Sequence, residues 1–264
     1  MSKLSAKDTF FDLSDYGRPI AVIASHQMKH SRVTPVQVTL VFGLVGLAAV
    51  YCILNNYYLL AGILLILKSI IDAIDGELAR VKKTPSYTGR FLDSIFDIIL
   101  NIFIFLSIYY VSDGSLLLTI IAITCFQLQG TLCNYYYVIL RNKSVGGDST
   151  SRVFEYNIPA ALPGENQKAV TISFIVYTVL YGLFDRTIYF LDKNANQGKR
   201  FSNWFMTFLS IYGLGFQLAI IAIMLNMNMV EYIIPFFIFY TFFIFVLIVI
   251  RKLFFGFSKT KSIF

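Results

Sequence analysis

The sequence predicts an all-α integral membrane protein, a bundle of about six transmembrane helices led by an amphipathic helix on the membrane surface. Three observations predict it. Of 264 residues, 57% are hydrophobic and 14% charged, where soluble domains sit nearer ~45–50% and ~25%. The apolar residues come in blocks about as long as a bilayer is thick, roughly 20 residues each. Lys and Arg gather in the connections between blocks, so the net charge of +7 reports membrane topology. No basic stripe lies on a soluble fold, which excludes a nucleic-acid partner.

Residues 1–33 form the first of two segments. Lys3, Lys7, Asp8, Asp12 and Asp15 precede any long apolar run, unlike a cleavable secretory signal. Ile20, Val22, Ile23 and Met28 alternate with Ser25, His26, Lys29 and His30, as in a helix lying on a membrane surface. His26 and His30 lack acidic or cysteine neighbours and read as surface polarity.

Residues 34–264 form the transmembrane segment. The first span is expected at about 36–54, opened by Thr34 and Pro35, because proline suits the first turn of a helix. Asn55, Asn56, Tyr57 and Tyr58 make a turn with interfacial aromatics. The second span is expected at 57–80, followed by the basic turn of Lys82, Lys83, Pro85 and Ser86. The third runs 87–111 and ends at Ser112-Asp113-Gly114, a turn signature. The fourth runs 115–140, and a polar connection with Arg141, Lys143 and Arg152 occupies 141–167. Apolar blocks resume at 169–184, 203–226 and 230–250, and Arg251, Lys252, Lys259 and Lys261 close the chain. Cys52, Cys125 and Cys133 fall inside apolar blocks and form no zinc-type pair.

Topology decides what the seven blocks do. With the basic N-terminus in the cytoplasm, Lys82/Lys83 and the 141–167 connection lie there too, in line with the positive-inside rule. If 169–184 also spans, Lys193, Lys199, Arg200 and the basic C-terminus fall outside. If the stretch near 168–191 is an interfacial helix, every Lys/Arg-rich connection is inside. The expectation is six spans in the cell (cytoplasmic) membrane with both termini cytoplasmic; seven spans is the alternative.

The chemistry lies between Asp72 and Asp97. Asp72 and Asp75 are three apart, and Asp93 and Asp97 are four apart, so each pair shares a helix face. The two helices, joined by a short turn, are expected to pack antiparallel. The aspartates then sit roughly 9–16 Å below the turn at ~1.5 Å per residue. Each ionised Asp at mid-helix costs about 2.5–3.5 kcal/mol, and four like charges repel besides. Arg80 would neutralise one; two divalent cations would neutralise all four. Oxygen-only ligands point to Mg²⁺ or Mn²⁺, and two such ions suit in-line phosphoryl displacement. Gly76, Ala79 and Gly89 remove side chains beside this site. Helix packing also uses small residues, but beside four carboxylates they read as a slot for a bulky ligand.

Asp72, Asp75, Gly76, Ala79, Arg80, Gly89, Asp93 and Asp97 at these spacings resemble the signature of the CDP-alcohol phosphatidyltransferase family. The resemblance implies that Asp72, Asp75, Asp93 and Asp97 ligate two divalent cations, and that Asp97 is also the general base for an acceptor hydroxyl. It implies that Gly76, Ala79 and Gly89 admit the cytidine nucleotide and that Arg80 sits near its phosphates. A CDP-linked lipid or CDP-alcohol would be the donor and an alcohol the acceptor, in contact with membrane lipids; a homodimer is a further expectation. The family often carries Pro-Asn-x-x-Thr at the start of the first span. Here Pro35 and Thr39 are present but Val36 replaces the Asn, which puts a nucleotide contact by Thr39 in doubt.

Within the family, CDP-diacylglycerol with a small polar alcohol competes with CDP-choline or CDP-ethanolamine acting on diacylglycerol. The short chain leans to the first. Arg90, Arg141, Lys143 and Arg152 are candidates for an acceptor phosphate or plain topological anchors. An intramembrane prenyltransferase would not need Gly76, Ala79, Arg80 and Gly89. A cation-coupled transporter would show duplicated halves with broken helices, which the sequence lacks.

Overall fold

The computed structural model describes Leu4 and residues 8–144 and 157–256. Arg152, Lys3, Lys7, Lys259 and Lys261 lie outside the described residues. Among the described residues the α-helices follow in order: α1 Arg18–Gln27, α2 Pro35–Leu54, α3 Tyr58–Lys82, α4 Tyr87–Val111, α5 Leu116–Lys143, α6 Gln167–Leu191, α7 Asn203–Leu209, α8 Leu214–Asn226, α9 Val230–Tyr240 and α10 Phe243–Phe255. Among the described residues there is no strand.

Local sequence sets the boundaries. Thr34 and Gln37 make a reciprocal capping box at α2, with Pro35 in the first turn, which satisfies backbone donors the helix cannot. Lys83 adopts a left-handed φ of 55° and ends α3. Ser86 and Ser115 cap α4 and α5 through their hydroxyls. The apolar block 203–226 breaks between α7 and α8 with a bend of 50°. The block 230–250 breaks after Tyr240, where the Thr241 hydroxyl and the Gln129 amide both donate to the carbonyl of Phe237. Such competition for a helical carbonyl bends a helix.

Among the described residues α2, α4, α5, α6 and the stretch α9–α10 are each long and apolar enough to cross a membrane, and the bent pair α7–α8 makes a sixth such stretch. Helix α3 carries Lys68, Asp72 and Asp75 within an otherwise apolar stretch. Helix α6 is itself long and apolar enough to cross a membrane, yet both its ends meet the same end of the bundle. Before it, Glu165 accepts from the Ser86 hydroxyl and the Thr88 N–H at the start of α4, each at 2.8 Å. After it, Asp192 pairs with Arg251 of α10 and accepts from Tyr136 of α5, and Lys143 reaches the carbonyl of Gly198 at 2.8 Å. Both ends of α6 are therefore tied to elements at the end bearing Lys82 and Lys83. The outer faces of α2 and α3 expose Leu40, Leu44, Leu47, Leu59 and Ile63, an apolar belt fit for lipid. The protein is an integral membrane protein.

Packing at the far end is dense. Phe105, Phe126 and Phe237 form an edge-to-face trio with centroids 5.1–5.6 Å apart. Helix α2 lies close on α4 because Gly43 and Gly46 lack side chains; a Cβ there would come within 2.9 Å of Phe96 and 2.7 Å of Leu100. Small residues serve close helix approach in this way. Helix α2 packs on α3 as well, whereas α3 and α4, expected to pack directly, barely touch each other. A cavity takes the space between them, where their carboxylates face one another.

Helix α1 packs along α3 with Ala21 and Ser25 buried, the Ser25 hydroxyl donating to the carbonyl of Ile74 at 3.2 Å. Ile20 and Ile23 stay exposed. Residues 12–15 are half-buried: the Leu13 N–H donates to Ser210, and Ser14 abuts Gly213 and Gly215.

Candidate active site

A cavity of about 930 Å³ opens between α2, α3, α4, α5, α6 and the start of α8. Asp72, Asp75, Gly76, Ala79, Arg80, Gly89, Asp93 and Asp97 all line it, so the structure brings these eight residues to one place. Asp72, Asp75 and Asp93 each offer a carboxylate oxygen, and these oxygens lie within 4.8 Å of one another. Helical register explains the cluster: Asp72 and Asp75 share one face of α3, and the antiparallel α4 presents Asp93 at the same depth.

The three carboxylates fit a hard divalent cation. All donors are oxygens, the set that suits Mg²⁺ or Mn²⁺. Asp93 Oδ1 is buried and has no hydrogen-bond partner, a costly arrangement that a cation would relieve. The Thr39 hydroxyl donates to Asp75 Oδ2 at 2.7 Å, fixing one carboxylate from α2 as outer partners of metal ligands do. Thr39 thus has a role beside the cluster although Val36 breaks the motif around it.

Asp97 is placed differently. It sits one turn deeper on α4 and pairs with the Lys68 ammonium, whose side chain is fully buried and also lies over the Phe42 ring. Lys68 precedes Asp72 by four residues and so belongs to the same helix face. It escaped the sequence reading because it stands alone in an apolar block; its spacing from Asp72 was the available signal. Lys68 takes up one of the four carboxylate charges, so charge balance alone does not require two divalent cations.

Arg80 lines the cavity, but its guanidinium bonds Glu77, at 2.6 and 3.2 Å. It neutralises that glutamate, which Arg18 also reaches at 3.1 Å, and not one of the four aspartates. The glycines separate into two kinds. At Gly76 a Cβ would meet only Arg80 nitrogens, at 3.7 Å and beyond, and at Gly89 the nearest atom is the Ser86 hydroxyl at 3.2 Å. No neighbouring helix requires either glycine, in contrast to Gly43 and Gly46. The space they leave belongs to the cavity.

Other parts of the chain reach the cavity without any sequence signal next to the motif. Asp12, Ser14 and Asp15 contribute from before α1, and Tyr177, Tyr181 and Asp185 from α6. Of the cationic candidates, Arg90 and Arg141 line the cavity, while Lys143 is engaged with Gly198. Glu165 anchors α6 beside the site. Burial pushes its carboxyl up, but hydrogen bonds from the Thr88 backbone, the Ser86 hydroxyl and the backbone of Tyr87 and Leu162 outweigh this and hold it below the usual glutamate range.

Comparison with known proteins gives a family match to CDP-alcohol phosphatidyltransferase over residues 32–212, which spans α2 through α7 and the whole carboxylate cluster. A Thermococcus kodakarensis protein named bifunctional IPC transferase and DIPP synthase is 47% identical over 66 residues, 25% of this chain and 15% of that protein. A Pyrococcus horikoshii archaetidylinositol phosphate synthase is 42% identical over 65 residues, 25% of this chain and 35% of that protein. The shared stretch is thus a small part of both relatives.

Proposed function

The chain belongs to the CDP-alcohol phosphatidyltransferase family, a family of phospholipid-synthesising phosphotransferases, and from that premise we propose that it moves a phosphatidyl group from CDP-diacylglycerol to an alcohol hydroxyl, releasing CMP. One observation carries the proposal: three carboxylates from two helices converge within 4.8 Å on a cavity where no neighbouring helix requires Gly76 or Gly89.

In this reading Asp72, Asp75, Asp93 and Asp97 would hold two divalent cations, Mg²⁺ or Mn²⁺. When bound, such cations neutralise the donor pyrophosphate and stabilise the charge of departing CMP. Thr39 keeps Asp75 oriented toward the cluster. Gly76, Ala79 and Gly89 leave room for the cytidine, and Arg80, held by Glu77, faces its phosphates. Asp97 takes the proton of the acceptor hydroxyl, and Lys68 fixes that carboxylate from beneath. The basic residues at the site end support an orientation with the active site toward the cytoplasm of the cell membrane. The likeness to an archaetidylinositol phosphate synthase, 42% identical over 65 residues, supports a lipid product.

The test is CMP release from CDP-diacylglycerol by the purified protein in mixed micelles with a panel of alcohols. Release should require Mg²⁺ or Mn²⁺ and an added alcohol. Consumption of a prenyl diphosphate, or of CDP-choline with diacylglycerol, in place of CDP-diacylglycerol would overturn the assignment.

A further inference from the structure

We propose that the deep end of the cavity, between Asn101 of α4 and Gln217 of α8, seats the acceptor alcohol and selects a neutral, hydroxyl-rich group; this rests on the phosphotransfer reading above. Asn101 follows Asp97 by four residues and so continues the Asp93–Asp97 row one turn further from the α3–α4 turn. It lines the cavity, is 5% exposed, and its Oδ1 is buried with no hydrogen-bond partner. Gln217 also lines the cavity, is 1% exposed, and its Oε1 is buried without a partner too.

The orientation of Gln217 is fixed by a chain of amides. Gln129 donates to the Phe237 carbonyl at 3.0 Å and to the Thr241 hydroxyl at 2.8 Å. Its amide hydrogens are then used, and its oxygen accepts from Gln217 Nε2 at 2.8 Å. Gln217 Nε2 also donates to the Phe126 carbonyl at 3.2 Å. With both hydrogens committed, the Gln217 oxygen is the end left over. It lies toward Gly130, another residue of the cavity wall, where a Cβ would stand 3.8 Å from it.

Two buried amide oxygens without donors, in one polar cavity, call for a ligand that brings donors. Hydroxyl groups bring them. A quaternary ammonium has none to give. A primary ammonium would enter beside the Lys68 ammonium, which already takes up the Asp97 carboxylate. The position also suits the reaction. Gly76 and Gly89 put the nucleotide slot on the turn side of the carboxylates, and in-line displacement needs the attacking oxygen on the opposite side. Asn101 is on that side, with Asp97 between.

The test measures CMP release from CDP-diacylglycerol with inositol, glycerol and their phosphates against choline, ethanolamine and serine, for the wild type, Asn101→Leu and Gln217→Met. Mn²⁺ and CDP binding are measured on the same preparations. The proposal expects polyols or their phosphates as acceptors. It expects the acceptor KM to rise about tenfold in each variant, the worth of one lost hydrogen bond, with Mn²⁺ and CDP affinities unchanged. If Gln217→Met does not fold, Asn101→Leu decides. An unchanged acceptor KM, or acceptance of choline, ethanolamine or serine in place of polyols, would overturn the acceptor seat while leaving phosphotransfer intact. No CMP release with any alcohol, from wild type that binds Mn²⁺ and CDP, would instead bring down the phosphotransfer reading and the proposal with it.

Discussion

The buried Lys68 ammonium of α3 is paired with the Asp97 carboxylate of α4, beneath the three carboxylates that converge above it. A lysine with no exposed side-chain surface depends on such a partner, and removing one member of a buried pair costs about 3–5 kcal/mol. Lys68→Met should therefore lower the unfolding midpoint sharply in EDTA, and Mg²⁺ should restore part of the loss by supplying positive charge beside Asp97. Thermal unfolding in detergent with and without Mg²⁺ checks this; equal losses in both conditions would separate Lys68 from the cation site.

Each of Asp72→Asn, Asp75→Asn and Asp93→Asn removes an anionic oxygen from the cluster. Mn²⁺ affinity, read by electron paramagnetic resonance, should fall at least about tenfold in each, since neutral amide oxygens are weaker ligands for hard cations. Thr39→Val should weaken it less, because Thr39 acts through Asp75. Wild-type affinity in Asp93→Asn would argue that the orphaned Asp93 oxygen has no ligand role.

The two kinds of glycine should behave oppositely. Gly46→Ala forces a Cβ to within 2.7 Å of Leu100, and overpacking of this kind costs about 1–3 kcal/mol. Gly76→Ala meets nothing closer than 3.7 Å and should fold like wild type, while a larger Gly76→Leu should lose CDP binding. Unfolding curves paired with CDP titrations separate the two effects.

Glu165 ties the approach to α6 onto the start of α4, and its carboxyl titrates below the usual glutamate range. A depressed folded pKa means that the anchor contributes fully above the unfolded value of about 4.3 and is lost as pH falls through the lower folded value. Limited proteolysis between α5 and α6 should thus accelerate on acidification below about pH 4 in wild type. Glu165→Gln should already be fast at neutral pH.

Hydropathy and spacing made much of this legible. The third apolar block, 87–111, coincides with α4, and the four aspartates, Gly76, Ala79 and Gly89 meet in one cavity as their register requires. The break after Tyr240 was not legible, because an apolar count does not register Thr241 and Gln129 competing for one carbonyl. Nor was the stand-off of α3 from α4, which follows from what the cavity must hold. Lys68 and Asn101 extend the Asp rows by one helical turn each, so periodicity could have found them. Asp12, Asp15 and Tyr181 reach the site only through tertiary packing, which no local pattern encodes.

The central claim is that this carboxylate cluster transfers a phosphoryl group, with Asp97 accepting the proton of the attacking alcohol. The most direct measurement is Mg²⁺-dependent CMP release from CDP-diacylglycerol by Asp97→Asn, with CDP binding quantified on the same preparation. Release should fall by a factor of about 10²–10⁴, the usual worth of a general base, while CDP still binds. Turnover close to wild type in that variant would contradict it.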